Sequence, residues 1–151
     1  MRIAIGSDEA TPLTTWVLEH LRRLGHQVVP FGALREGDNP NWPVVAQRVG
    51  EAVASGECQQ GILFCWTGTG VCMAANKVPG VRAALCPDAP TAAGARKWND
   101  ANVLCMSLRL TTPAVAQEIL DAWFTAQPDP SEEANITWLK ERDTLSARLG
   151  R

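Results

Sequence analysis

Short apolar runs alternate with longer amphipathic stretches along this 151-residue chain. Arg2–Ser7 (RIAIGS) reads as a first strand ending in a small residue. Thr11 followed by Pro12 supplies a hydroxyl cap and a proline at the first helical position. Leu13, Trp16, Val17, His20, Leu21 and Leu24 then keep helical spacing until Gly25. Residues 26–31 (HQVVPF) form a second strand, with Pro30 marking an edge position or the strand's end. Residues 32–41 form a loop. Trp42-Pro43 opens a second helix to about Ser55, with Val44, Val45, Val49, Ala52 and Val53 on one face.

The apolar run 61–65 (GILFC) has the form of a fully buried strand. It breaks into Thr67-Gly68-Thr69-Gly70 and resumes as a short helix over 71–77. A fourth strand follows at 81–86 (VRAALC), then a helix capped by Asp88 that runs through Ala92, Ala93, Ala95 and Trp98. The fifth strand is 103–106 (VLCM). Thr112-Pro113 repeats the hydroxyl–proline start for a helix to about Ala126, and 131–151 reads as a charged terminal helix. Strands alternating with helices of this length imply βαβ units and a parallel sheet covered on both faces. The expected fold is therefore α/β, a three-layer αβα sandwich around a five-stranded parallel Rossmann-like sheet, with an extra C-terminal helix. One domain is expected over 1–151.

Composition narrows the function. Hydrophobic residues at 46% suffice for a core, while a formal net charge of −2 gives no electrostatic case for nucleic acid. No apolar run reaches membrane-spanning length, and the first residues lead straight into a strand, so a cytoplasmic protein is expected. The five cysteines are odd in number and embedded in apolar runs, which suggests reduced thiols rather than a disulfide framework. Cys65 and Cys72 are too far apart for a CxxC pair and no histidine lies near either, so a zinc site is not expected; no cofactor is expected.

In parallel sheets, ligands bind beyond the carboxyl ends of the strands. The residues there are Asp8 and Glu9 after the first strand, residues 65–70 after the third, and the loops after the fourth and fifth. A strand passing through a glycine-rich turn into a helix aims backbone N–H groups and a helix dipole at one place, which suits an oxyanion or phosphate. Cys65 beside that field would favour its thiolate. A tight turn with a buried cysteine would read the same. Cys58, Cys72, Cys86 and Cys105 read as packing, and His20 and His26 as structural.

Taken with GILFCWTGTGVCMAANKVPGVRAALC, ARKWNDANVLCMSLR and ILDAWFTAQ, the chain resembles the type B ribose-5-phosphate and galactose-6-phosphate isomerases along nearly its whole length. The AANK segment at residues 74–77 and the NDANVL segment at 99–104 are specific in combination. The resemblance implies aldose–ketose isomerisation through an enediolate, by a homodimer or dimer of dimers with active sites at the subunit interface. It assigns Cys65 as the base and Thr67 as an assistant in ring opening or proton relay. The backbone of the turn Thr67, Gly68, Thr69 and Gly70 would form the oxyanion hole, and Asp8 would bind sugar hydroxyls. Glu9 and Asn99 would also orient hydroxyls.

Several positions depart from the family pattern. Glu9 stands where histidine is usual, and Val71 where another branch has a glutamate base. Trp98 replaces the ring-opening histidine, and an indole N–H cannot accept a proton. That step needs another group or an acyclic substrate. Trp66 and Trp42 replace a small residue and a tyrosine. Glu132 and Ile136 fall where phosphate-binding cations are expected. Three tryptophans and lost cations suggest an aromatic pocket for a non-phosphorylated or atypical sugar. A non-catalytic sugar-binding relative is the second reading. A pentose-phosphate isomerase with relocated phosphate ligands, such as Lys140 or Arg142, is the third.

Overall fold

The alternation of elements is realised as predicted. In the computed structural model, which describes residues 1–150, the order is β1 (Arg2–Ser7), α1 (Pro12–Arg23), β2 (Gln27–Gly32), α2 (Trp42–Ala54), β3 (Gln60–Cys65), α3 (Thr69–Ala75), β4 (Ala83–Leu85), α4 (Ala89–Asn99), β5 (Val103–Ser107), α5 (Pro113–Thr125), a 3₁₀ turn (Pro130–Glu132) and α6 (Glu133–Leu149). Every strand pair is parallel, in the spatial order β2-β1-β3-β5-β4. Pro30 lies on edge strand β2, where its missing N–H breaks no interior ladder. No helix among the described residues is long and apolar enough to cross a membrane.

Strand side chains alternate between two cores, as the period of two requires. Ile3, Ile5, Ile62, Phe64, Leu104 and Met106 face Leu13, Val17 and Leu21 of α1 and Ala116, Ile119, Leu120 and Trp123 of α5. Ala4, Leu63, Cys65, Val103 and Cys105 face Val45, Val49 and Val53 of α2 and Val71 and Ala75 of α3. The sheet is thus the middle of three layers. Trp123 is fully buried, and its indole N–H donates to Gln60 Oε1 at 2.9 Å, so the polar atom does not enter the core unpaired.

The boundaries differ from the sequence reading where side chains or turns take over backbone groups. β4 has three residues rather than the expected six, because Val81 closes a turn onto the Val78 carbonyl and the Arg82 N–H is taken by Asn102 Oδ1 at 2.8 Å. α3 starts two residues early, at Thr69, because Gly68 itself caps it. The terminal helix opens with a 3₁₀ turn capped by Asp129, and the expected last position, Arg151, lies outside the described residues.

The two segments most specific to the resemblance tie the sheet's far edge together. Asn76 accepts the Ala83 N–H at 2.8 Å and donates to the Ala83 carbonyl at 2.9 Å, giving the short β4 a substitute partner on α3. Asn102 accepts the Arg82 N–H and donates to the Gly80 carbonyl at 2.9 Å. Asn102→Ala leaves the Arg82 N–H without a partner and the Gly80 carbonyl with only the Arg82 guanidinium at 3.4 Å, and we expect a loss of about 1–3 kcal/mol in urea unfolding. A loss below about 0.5 kcal/mol would show that solvent replaces these bonds.

Candidate active site

The strand order creates one place where successive connections diverge. From β1 the chain moves outward to β2, then returns to the other side of β1 as β3. Ser7 is in register with Phe64, so Asp8 and Cys65 leave neighbouring strands side by side. This is the switch point of the sheet, where a crevice opens above the carboxyl ends.

Asp8 enters this crevice from β1. The Ser7 hydroxyl, fully buried, donates to the Glu9 carbonyl at 2.6 Å and accepts the Glu9 N–H at 3.2 Å, which turns the chain sharply. One Asp8 carboxylate oxygen is left buried without a hydrogen-bond partner. Burial raises the Asp8 carboxyl above its ordinary range, opposed by a backbone hydrogen bond and assisted by the charge of Glu9. Glu9 itself is exposed.

Cys65 ends β3, its side chain buried on the α2–α3 face. The turn that follows is pressed onto β5. The Leu108 N–H donates to the Cys65 carbonyl and the Arg109 N–H to the Trp66 carbonyl, each at 3.0 Å. Gly68 has φ +75°, and a Cβ there would lie 2.6 Å from Leu85 Cδ1 and 3.0 Å from the Met106 backbone. Only glycine meets both conditions. Thr67 and Thr69 are exposed, and their hydroxyls are 2.6 Å apart. Trp42, at the first turn of α2, lays its ring over Gly70, 3.1 Å from where a Cβ would stand.

Asp8, Glu9, Trp42, Cys65, Trp66 and the 67–70 turn are therefore gathered at one edge of the sheet. Trp98 and Asn99 are not. They end α4, which runs antiparallel to the strands, so they lie at the amino-terminal edge, just before β5 begins. Within one protomer, helix polarity keeps Trp98 and Asn99 apart from the Cys65 crevice. Trp42, Trp66 and Trp98 are 44%, 60% and 55% exposed, so none is a core residue of the protomer. Trp98 folds back over Gly94 of its own helix. Lys140 is held by Asp100 at 2.8 Å, and Arg142 stacks over Trp138 at 4.3 Å, so both relocated-cation candidates already have partners. His20 stacks on Trp16 and His26 contacts the N-terminal amine and Phe124.

One thiol differs from the expectation of inert packing. Cys72 of α3 is only half-buried; its thiol donates to the Ala83 carbonyl at 3.5 Å, and the neighbouring Cys105 thiol favours its thiolate form. This lowers Cys72 from 9.0 to about 7, opposed by burial and assisted by the Leu85 backbone amide. Asn76 Nδ2 is a further donor at 3.8 Å. Cys86, by contrast, is pushed up to about 12 by burial and the nearby Cys72 and Asp88. Cys105 is pushed well above the ordinary range, first by burial. The available sequence signal was the place of Cys72 in the first turns of the helix after the glycine turn.

With this geometry in view, the class is that of a sugar isomerase. The family model for Ribose/Galactose Isomerase matches residues 3–137, and the chain belongs to that family. It is a family of sugar-phosphate aldose–ketose isomerases, and the chain is an isomerase. Among its relatives is the D-erythrulose-4-phosphate isomerase of Pectobacterium atrosepticum, 41% identical over 128 residues, which are 84% of each chain. Ribose-5-phosphate isomerase B of Clostridium thermocellum superposes with a TM-score of 0.88 at 35% identity, covering 97% of this chain and 99% of that one. The Mycoplasma genitalium ribose-5-phosphate isomerase B with bound ribulose-5-phosphate does so with a TM-score of 0.85 at 34% identity, covering 95% of each. All three are named for phosphorylated sugars, which weighs against the expectation of an unphosphorylated one.

Two predictions follow from the turn and its thiols. Gly68→Ala should cost more stability than Gly37→Ala, which has the same sign of φ but no atom within 4 Å of its Cβ. The expected difference is about 1–3 kcal/mol from overpacking alone, and equal losses would contradict the tight contact with β5. Peptide mapping after iodoacetamide treatment should show Cys72 alkylation rising as pH passes about 7. Cys86 should stay unlabelled at that pH, and a rise for Cys72 only above about pH 8.5 would mean that Cys105 does not stabilise its thiolate.

Proposed function

We propose that the chain interconverts a ketose phosphate and an aldose phosphate whose carbon chain stays open, a four-carbon sugar 4-phosphate being the best fit. The supporting observation is Trp98. It occupies the position where the resemblance implies a ring-opening histidine, and an indole cannot accept the ring hydroxyl's proton. A four-carbon ketose or aldose with phosphate on its terminal oxygen has no hydroxyl left to close a five-membered ring. It needs no ring opening. The relative named for D-erythrulose 4-phosphate carries a name of this chemical class.

On this reading the Cys65 thiolate removes a proton from C1 of the ketose. The electron pair forms the C1–C2 double bond, and negative charge collects on the C2 oxygen. Backbone N–H groups of the 65–70 turn stabilise that oxyanion. Thr67, paired with Thr69, relays a proton between O1 and O2, and the Cys65 thiol returns its proton to C2 to give the aldose. The unpaired Asp8 oxygen accepts a substrate hydroxyl, with Glu9 beside it. Trp42 and Trp66 cover the carbon chain. Arg109 is exposed in the loop after β5, has no ion pair among the described residues, and is the phosphate ligand we assign.

The remaining residues come from a second copy. Trp98 and Asn99 reach a Cys65 crevice only across a subunit contact, and Met73, Trp98, Leu110, Trp138 and Leu139 are exposed apolar groups that association would cover. A homodimer or dimer of dimers is the assembly proposed, and a monomer in analytical ultracentrifugation at micromolar concentration would remove this part of the reading.

Proton exchange with deuterated water, followed by NMR, tests the reaction. The panel is erythrulose 4-phosphate, ribose 5-phosphate and their unphosphorylated counterparts. We expect exchange into erythrulose 4-phosphate, reduced about 10²–10⁴-fold in Cys65→Ala. Equal or faster exchange into ribose 5-phosphate would refute the open-chain preference, and exchange into plain sugars would refute the phosphate requirement.

A further inference from the structure

Ser107, the last residue of β5, lies opposite Cys65 in the parallel register. Cys105 faces the α2–α3 layer, so Ser107, two residues on, faces it too, beside Cys65. Its side chain is buried at 7% exposure and both of its hydrogen-bonding roles are filled. The hydroxyl donates to the Trp66 carbonyl at 2.8 Å and accepts the Leu110 N–H at 3.1 Å.

The consequence concerns the peptide planes. Along a regular strand, successive carbonyls point to opposite sides. Here the Cys65 carbonyl points to β5, where Leu108 donates to it, and the next carbonyl, Trp66, points to β5 as well, where it receives both Arg109 N–H and the Ser107 hydroxyl. Both peptides are trans, since no cis bond occurs among the described residues, and in a trans peptide the N–H is antiparallel to the C=O. The N–H groups of Trp66 and Thr67 are therefore both turned away from β5, and the strand flanking β3 on its other side is β1, which leads into Asp8. Two successive N–H groups directed to one side form a concave anion site.

We infer that Ser107 is a positioning residue for the isomerisation: by holding the Trp66 carbonyl against β5, it keeps the Thr67 N–H aimed at the oxyanion that forms on the substrate. This rests on the reaction proposed above. The Ser107 hydroxyl touches neither substrate nor the reacting atoms. In its absence the Trp66–Thr67 peptide has one restraint, the Arg109 N–H from the loop after β5, instead of two.

The test uses the full chain with Ser107→Ala, Ser107→Thr and, as a control at a helix end remote from the turn, Ser55→Ala. For Ser107→Ala we expect kcat on erythrulose 4-phosphate to fall about 10- to 100-fold, with KM changed less than about threefold and circular dichroism unchanged. Ser107→Thr, which keeps the hydroxyl, should recover part of kcat. Binding of a four-carbon hydroxamate phosphate, which mimics the enediolate, should weaken in Ser107→Ala in proportion to kcat. If Ser107→Ala does not fold, Ser107→Cys, with its weak S–H donor, is read by the same measurements. An unchanged kcat, or a loss of thermal stability with kcat per folded molecule preserved, overturns the inference. A separate readout needs no turnover: the Thr67 amide resonance in ¹H–¹⁵N spectra of the free protein should move in Ser107→Ala and not in Ser55→Ala. If wild type isomerises none of the panel sugars, the proposed reaction fails by itself. An unmoved Thr67 resonance overturns the Ser107 inference whether or not the enzyme is active.

Discussion

The close approach of the Gly68 turn to β5 is the contact on which the site depends. With φ +75° and the Met106 backbone 3.0 Å from any added Cβ, Gly68 lets the chain leave β3 and lie directly on its neighbour strand. That descent brings the Cys65 and Trp66 carbonyls within reach of Leu108 and Arg109. It also starts α3 immediately, which buries Val71 and Ala75 against the same core that covers Cys65. A bulkier residue would lift the turn, and the bonds from β5 would lengthen together. Backbone geometry, local packing and the direction of the N–H groups are thus one constraint rather than three.

Helix polarity imposes a second constraint. Every helix of a parallel βαβ array begins at the carboxyl edge of the sheet and ends at the amino edge. Trp42, at a helix start, therefore reaches the glycine turn, whereas Trp98 and Asn99, at a helix end, are carried a strand's length away. The same polarity places Asp100 at the amino edge, in left-handed conformation at φ 47°, where Arg82, Arg96 and Lys140 converge on it. These cations serve to join α4, α6 and the start of β4. They hold the architecture and are not free to take a substrate phosphate from the same protomer.

Much of this was legible in the sequence, for physical reasons that differ between elements. Hydroxyl–proline helix starts at Thr11 and Thr112 were readable because the cap is local, and each threonine does accept an N–H three residues on. The strands were readable because parallel strands covered on both faces are continuously apolar. β4 was overextended because its flanking backbone groups bond to Asn102 and to a turn, partners that lie far off or out of pattern. The separation of Trp98 from Cys65 was implicit in the βαβ order but not in residue type. Cys72 and Ser107 escaped because their character comes from neighbours remote in sequence: a thiol on β5 in one case, a turn carbonyl 41 residues away in the other. Composition cannot report such pairs.

On the proposed reaction, Trp98 at the position where the resemblance implies a ring-opening histidine also bears on which sugars can turn over. A positioned acid–base group contributes roughly 10²–10⁴-fold to the proton transfer that it serves. For a ring-forming sugar, that loss would fall on ring opening, a step that precedes the enediolate and that the Cys65 chemistry cannot replace. For an open four-carbon phosphate the step does not exist, so the same substitution removes nothing from the rate. What Trp98 supplies is apolar surface and one N–H donor, 55% exposed in the protomer, which suit the wall of the intersubunit pocket in the proposed assembly. On the proposed reaction, a tryptophan at this position separates substrate classes: it leaves an open four-carbon phosphate untouched and removes the ring-opening step from a ring-forming sugar.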